Sequence, residues 1–544
     1  MSNSKAAPET EQDLPVVTGL IDSNGTQWVL TEYKGKSALL PYGEFVAGRQ
    51  HILSALRRHN VIIIAKVAKD SLIEQVEALE EFSPRVIFSR PGWGHGQFVT
   101  ASGKVFAPAK VAKGLLGFEP NPVKCARKGT HSGWLQQVAT PLVGHHIPCF
   151  AIMACFAAPL LDLVGRADNF GFELSGAGGK GKSTTQRLMA SVVGPAMEKD
   201  RGYITTFNMT HVALEKSMRW HADMPFIIDE ANLFGSGTGG RTDHRAMRDF
   251  SFQMSSGTTK GRYDNPNQEG YRFIFLTSAN EPFHELLGQA HRDTANAASD
   301  RLMSVVIPEG DAGAFGPLPE GYGSYREFTL ALETAMAAQY GTAMPKFLWI
   351  LVRDRAQDEV KLLGKIRRSI DNFKQQVGVN ENNGSDVRVA EAFGLVYTAG
   401  VYARKKGILP PDFDCLGAAL HCYTNYRSTV PVRQPLPERI RAIAARPETL
   451  TVDRTALPTL SADEMESIGA FIRLVKGEML LLMTPSFGNR MFPDWLSLKN
   501  TPDFRALNKA DKDARGRGYH CRVRANSSTD WFYAFRLPEE SQQP

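Results

Sequence analysis

FGFELSGAGGKGKSTTQRLMASVVG, residues 170–194, is the stretch that decides the fold. Its opening residues, Phe170 to Leu174, form a short apolar run of the kind expected of a buried strand. The run leads into Gly176-Ala177-Gly178-Gly179-Lys180-Gly181-Lys182-Ser183, with Thr184 next in line, and fits the pattern GxxxxGK[ST]. Glycines so placed let successive backbone N–H groups converge on phosphate oxygens. A helix beginning near Lys182 aims its positive end at the same anion. In such a cradle Lys182 pairs with the β- and γ-phosphates of ATP, and the Ser183 hydroxyl faces Mg²⁺. The helix is expected to bury Leu188, Met189, Val192 and Val193 and to stop at Gly194.

Working outward, a second apolar run, MPFII (224–228), ends in Asp229-Glu230. Two acids at the carboxyl end of a strand beside a phosphate loop are placed for metal-assisted hydrolysis. Asp229 is expected to hold Mg²⁺ and Glu230 to polarise the attacking water. A third run, RFIFL (272–276), ends in Thr277-Ser278-Ala279-Asn280, and Asn280 is the candidate to reach the γ-phosphate, the alternative being an ordinary turn asparagine. Arg301, which leads into the strand SVVI, is the candidate arginine finger for the ATP of a neighbouring subunit, with Arg292 as its rival. Lys260 and Arg262, set among glycines at 257 and 261, read as cations on a hairpin tip that could grip backbone phosphate.

The rest of the chain sets bounds. Its 544 residues exceed one ordinary domain, and 42% hydrophobic with 22% charged residues is the balance of a globular protein with ample core. A net charge of +6 is compatible with nucleic acid but does not demand it. The six cysteines include no CxxC pair, which argues for reduced thiols rather than a zinc site or disulfide frame. The amino-terminal residues are polar, without the apolar centre of a signal peptide. The longest apolar run, Ile147 to Leu161, falls short of the ~20 residues a membrane span needs and is expected to be a buried helix. A cytoplasmic protein with no membrane partner is expected.

The fold class expected is α/β. A disordered head (1–15) precedes a mixed α/β module (16–133), a P-loop core with leading helices (134–323), a helical region (324–430) and a basic C-terminal module (438–538). Pro308 to Gly323, rich in Gly and Pro, reads as a linker. Asp503 to Arg524 carries seven Lys or Arg against three Asp, among them Arg515, Arg517, Arg522 and Arg524. Helices from Ala462 onward and then a basic hairpin form a winged-helix-like pattern whose arginines could hold phosphate, or a solvated basic face on an oligomerisation module.

GWG (92–94), WLQQVATPL, APLLDLVG, the phosphate loop, FIIDEAN and LTSANEP, in that order, resemble the family known as domain of unknown function 927, from about Val16 to Gly407. That family is common on phages and other mobile elements, and cassette-borne replication ATPases carrying it have been likened to MCM helicases. The resemblance implies an AAA+ ring motor. It would make Asn280 sensor 1, Arg301 the arginine finger, Lys260 part of a pre-sensor hairpin and Arg388 a sensor 2 at the start of a lid helix. It implies a hexamer that hydrolyses ATP with Mg²⁺ between subunits and moves along single-stranded or forked DNA. The alternative reading is an ATPase switch in defence or regulation that unwinds nothing. The glycine-rich 235–241 and the lack of a cysteine cluster in the N-terminal module depart from the MCM pattern.

Overall fold

This computed structural model describes residues 14–538, apart from 47, 122–124, 167, 197–201, 207–208, 210, 230–252, 258–269, 284, 286–299, 430–435, 453–459, 493–497, 500, 511–519 and 526–527. The chain divides into two units: Met1–Phe283 with Ser299–Tyr426, and His284–Ala298 with Arg427–Pro544.

The first unit opens with β1 (Val16–Ile21), β2 (Gln27–Tyr33) and β3 (Lys36–Pro41), paired antiparallel, with β4 (Ser83–Pro84) parallel to β1. Asp22 makes the first turn, its Oδ1 accepting the N–H groups of Asn24 and Thr26. Helices Arg49–Arg58 and Lys66–Glu77 lay Ile52, Leu56, Leu72 and Val76 against this sheet, as their period demands. The short strands β5 (Ile87–Phe88), β6 (Gly92–Gly94), β7 (Gln97–Val99), β8 (Val105–Phe106) and β9 (Leu115–Leu116) follow. Of these, β6 to β8 form an antiparallel sheet, and β5 pairs in parallel with β9.

The core is a parallel sheet of β10 (Phe170–Ser175), β11 (Thr205–Thr206), β12 (Met224–Asp229), β13 (Phe273–Ala279) and β14 (Leu302–Val306), in the order β11-β12-β13-β10-β14. Every residue of β10, β12 and β13 is buried, which is why these strands read as unbroken apolar runs rather than alternating ones. The strand order reverses at β10, where the phosphate loop begins, and such a switch point opens a crevice at the strands' carboxyl ends. The helix Lys182–Val193 stops at Gly194 and buries the four expected apolar side chains.

The apolar helical stretch His146–Val164 is long and apolar enough to cross a membrane, yet 89% of that window is buried in the protein. It packs on β12 and β13 and on the helix Gly384–Lys405, as a core helix does. Five helices, Tyr325–Ala338, Ala343–Gln357, Glu359–Gln376, Gly384–Lys405 and Cys415–Thr429, make up the expected helical region. The side chains of Ser324, Asp358 and Asn383 cap three of them.

GWG has a physical reason. Gly92, at φ +105, passes so close to Asp223 that an added Cβ would stand 2.6 Å from its carboxylate. The Trp93 N–H donates to that same carboxylate at 2.9 Å, and the Trp93 indole donates to Pro159 O at 2.8 Å. Arg272, just ahead of β13, bridges Asp223 (3.0 Å) and Asp162 (2.6 Å), and Arg355 closes the network on Asp162 at 2.7 Å.

In the second unit β15 (Leu450–Val452), β16 (Ala470–Val475), β17 (Glu478–Met483), β18 (His520–Ala525) and β19 (Ser528–Arg536) form one sheet, ordered β15-β16-β17-β19-β18. The expected helices lie at Ala462–Ile468, Pro485–Met491 and Pro502–Leu507, and the expected hairpin is β18–β19. That hairpin is the margin of a five-stranded sheet, and the sheet was not part of the expectation. Lys476-Gly477, at φ +51 and +87, is a two-residue turn that matches strand twist and closes β16 on β17.

The side chain of Asp223 is fully buried and meets the buried face of Arg272. Asp223→Ala leaves the buried Trp93 N–H without its acceptor and Arg272 with Asp162 alone, and urea unfolding should show a loss of about 1–3 kcal/mol.

Candidate functional site

The loop 176–181 is bent by Gly176, Gly179 and Gly181, all at positive φ, the region where a side chain is costly. A Cβ on Gly178 or Gly179 would meet nothing within 4 Å, so the backbone there faces open space. Below the loop lies the segment read from its composition as a linker. Ala314 N–H donates to Lys180 O at 2.9 Å, and Phe315 is buried beside Gly181, so 313–315 support the loop, while 308–311, 317, 320–321 and 323 are exposed.

A cleft of about 540 Å³ opens over the loop. Lys182, Ser183 and Thr184 line it from the start of their helix, Asp229 from the tip of β12, and Ser278 and Asn280 from the end of β13. Lys182 Nζ donates to Gly176 O, to Ala177 O at 3.2 Å and to Asn280 Oδ1 at 3.2 Å. Burial holds this ammonium below its ordinary pKa, while Asp229 and Glu173 pull it back up. The Ser278 hydroxyl donates to Asp229 Oδ1 at 2.6 Å and fixes that carboxylate.

The donor set fits a nucleotide with a hard cation. Backbone N–H groups at a helix start and one ammonium suit a polyphosphate, and the oxygens of Ser183 and Asp229 suit Mg²⁺. Among the described residues no cluster of three His, Cys, Asp or Glu offers a different metal site.

The structure thus brings together Gly176 to Thr184, Asp229 and Asn280. Glu230, Lys260, Arg262, Arg292, Arg515, Arg517 and the stretch 235–241 lie outside the described residues. Arg301 and Arg388 are placed elsewhere. Gly171 N–H donates to Arg301 O at 2.7 Å, so Arg301 stands at the amino edge of the sheet. Its backbone is five strand residues, roughly 16 Å, from the start of the loop. Arg388 reaches Asp300 at 3.8 Å, beside Arg301. Arg522 is exposed on β18, 5.8 Å from the Trp531 ring, and Arg524 follows on the same strand.

Two polar groups escaped the sequence reading. Ser278 was passed over for Asn280, yet Ile228 pairs with Thr277, and that register sets Asp229 beside Ser278. Glu173 is an acid inside the strand that feeds the loop, and it is fully buried. Its Oε2 accepts from Ser304 Oγ at 2.6 Å and from Phe283 N–H at 2.8 Å, while Oε1 has no partner. Burial pushes its pKa up to about 7 against those hydrogen bonds and the Lys182 charge. An acid in the middle of an apolar run was the available signal.

A parallel sheet of this order, with a glycine-bent loop running into a helix and an acid at the next strand tip, defines a P-loop NTPase-like core. Residues 26–264 match the family described as Domain of unknown function (DUF927), so the family resemblance holds for that segment. No curated protein matches the chain. The solved structure described as "SCCmec type IV Cch - active helicase" is 16% identical, with 96% of this chain and 93% of that one aligned at a TM-score of 0.62, and shares its fold. A full-length MCM homolog from Methanopyrus kandleri aligns over 76% of this chain and 77% of its own at 9% identity, with a TM-score of 0.29. The NrS-1 C-terminal region aligns over 70% and 84% at 8% identity and 0.27. The last two scores are too low to carry an argument.

Glu173 has a testable signature. Its folded pKa lies above its ordinary value of 4.5, so the native state keeps a proton that the unfolded chain releases. Its contribution to stability therefore falls as pH rises from about 4.5 to about 7 and is level beyond. Glu173→Gln should remove that decline, seen as a wild-type minus variant difference in Tm that changes across this window and flattens above it. Parallel Tm curves would sink the assignment.

Proposed function

We propose that this protein is an ATP-driven DNA translocase or helicase that works as a hexameric ring and serves replication of a mobile element. The observation that carries the reading is the convergence of Lys182, Asp229 and Asn280 in one cleft. Mg²⁺-ATP would supply the anhydride bond and a cation that offsets its charge.

The chain's own residues divide the work. The loop N–H groups and Lys182 bind the phosphates, Ser183 and Asp229 hold the cation, and Ser278 keeps Asp229 oriented. Glu230, next along from Asp229, takes the proton of the attacking water. Asn280, already bonded to Lys182, orients that water. Arg301 and Arg388 share the edge of the sheet opposite the loop, which favours their serving a neighbour's nucleotide rather than their own. Lys260, Arg262, Arg515, Arg517, Arg522 and Arg524 are proposed to grip DNA phosphate, with affinity that falls steeply with salt.

The decisive measurement is the ATPase rate with and without single-stranded DNA, alongside the mass of the assembly. Stimulation by DNA in a six-subunit assembly is expected. Hydrolysis indifferent to DNA would favour the conformational switch instead. Lys182→Ala should lose nucleotide binding outright. Glu230→Gln should still bind ATP but turn over roughly 10²–10⁴-fold more slowly. Arg301→Ala should bind ATP, and mixing it with Lys182→Ala protein should restore part of the activity. Absence of rescue in intact oligomers would rule out a finger shared between subunits.

A further inference from the structure

Away from the nucleotide cleft, a second groove of about 690 Å³ lies within the first unit, between the β8 region and the start of the helix Ala343–Gln357. Lys104, Lys113, Arg127 and Lys346 line it, and no Asp or Glu is among its described lining residues. None of the four makes an ion pair among the described residues. Lys104 rests 5.0 Å from the Phe106 ring, and Lys346 donates to Gly407 O (3.0 Å) and to His131 Nδ1 (3.2 Å). Burial, then Arg127 and Lys113, hold Lys104 below its ordinary pKa. Gathering like charges without a counter-charge costs free energy, and an anion removes that cost.

Three further features define the anion. Gly341 and Thr342, at the start of a 15-residue helix, line the groove. A helix start suits a phosphate. At the groove's margin Trp349 is 57% exposed, unusual for so large an apolar residue. Arg353, paired with Asp354 at 2.8 Å, stacks on it at 5.2 Å and begins a second cleft of about 950 Å³, whose lining also includes Asp354 and Asp358. Lys361, Lys365 and Arg368 line that cleft at one-turn intervals along the helix Glu359–Gln376. Cations in a row with a flat aromatic face between them match a sugar-phosphate backbone that also offers bases. An acidic polypeptide would use the cations but has no need of the exposed ring.

We propose that this groove is a binding track for single-stranded nucleic acid, with phosphates on Lys104, Lys113, Arg127 and Lys346 and a base stacked on Trp349. It rests on the motor reading above but uses none of the cations named there.

The test uses the full chain and a labelled oligothymidylate of about 16 nucleotides, long enough to fill one site. Anisotropy is followed across a salt series. Trp349→Ala should bind about tenfold more weakly. The double variant Lys104→Ala/Arg127→Ala should flatten the slope of log affinity against log salt by about 1.4, the share of two phosphates. Circular dichroism and unstimulated ATPase should match wild type in both variants. If wild type binds and is stimulated by the oligonucleotide while both variants behave like it, the track is overturned and the motor reading stands. If wild type neither binds nor is stimulated, the motor reading falls and takes the track with it. If polyglutamate binds as tightly and loses as much on Trp349→Ala, the nucleic-acid assignment is overturned.

Discussion

The parallel pairing of β10 with β13, and of β13 with β12, is the constraint on which the rest depends. Parallel strands point their carboxyl ends the same way, so a loop after one strand, an acid after the second and an amide after the third arrive at one edge. No side chain in the cleft needs to reach far. Lys182 meets Asn280 and Ser278 meets Asp229 because the backbone has already set their strand ends side by side. The same alignment consigns Arg301, at the start of β14, to the opposite edge.

Buried charge is the second constraint, and it couples regions that look separate in sequence. Asp223 takes an N–H from Trp93 and the guanidinium of Arg272, which ties the GWG turn to the strand that ends in Asn280. Glu173 accepts from β14 through Ser304 and from the segment after β13 through Phe283, directly behind the phosphate loop. Each such group must find partners or pay for its burial, so these contacts lock the core's geometry more tightly than apolar packing alone. The segment 313–315 does similar work with plain backbone, holding the Lys180 carbonyl from below.

The two units differ in how legible they were. In the core, glycine spacing, apolar runs and strand-end acids each had one reading, and strands, helix and loop fell where those signals placed them. In the second unit the helices from Ala462 onward and the closing hairpin were legible, but β16 and β17 were not, although Lys476-Gly477 is a hairpin signal. The turn was overlooked because the runs on either side are too short for periodicity to separate strand from helix. In Pro308 to Gly323, Gly and Pro report a chain that cannot be helix, but not that 313–315 within it pack under the phosphate loop.

Local chemistry is written along the chain, and from it came the phosphate loop, the helix behind it, the buried strands and the identity of Asp229 and Asn280 as the polar tips. Those features follow from backbone freedom, periodicity and charge within a few residues of each other. Ser278 as the partner of Asp229, Glu173 as the buried acid behind the loop and the groove around Trp349 came only from the tertiary structure. Each depends on register or on approaches between segments tens to hundreds of residues apart, and nothing in a local pattern records which distant backbone will lie alongside.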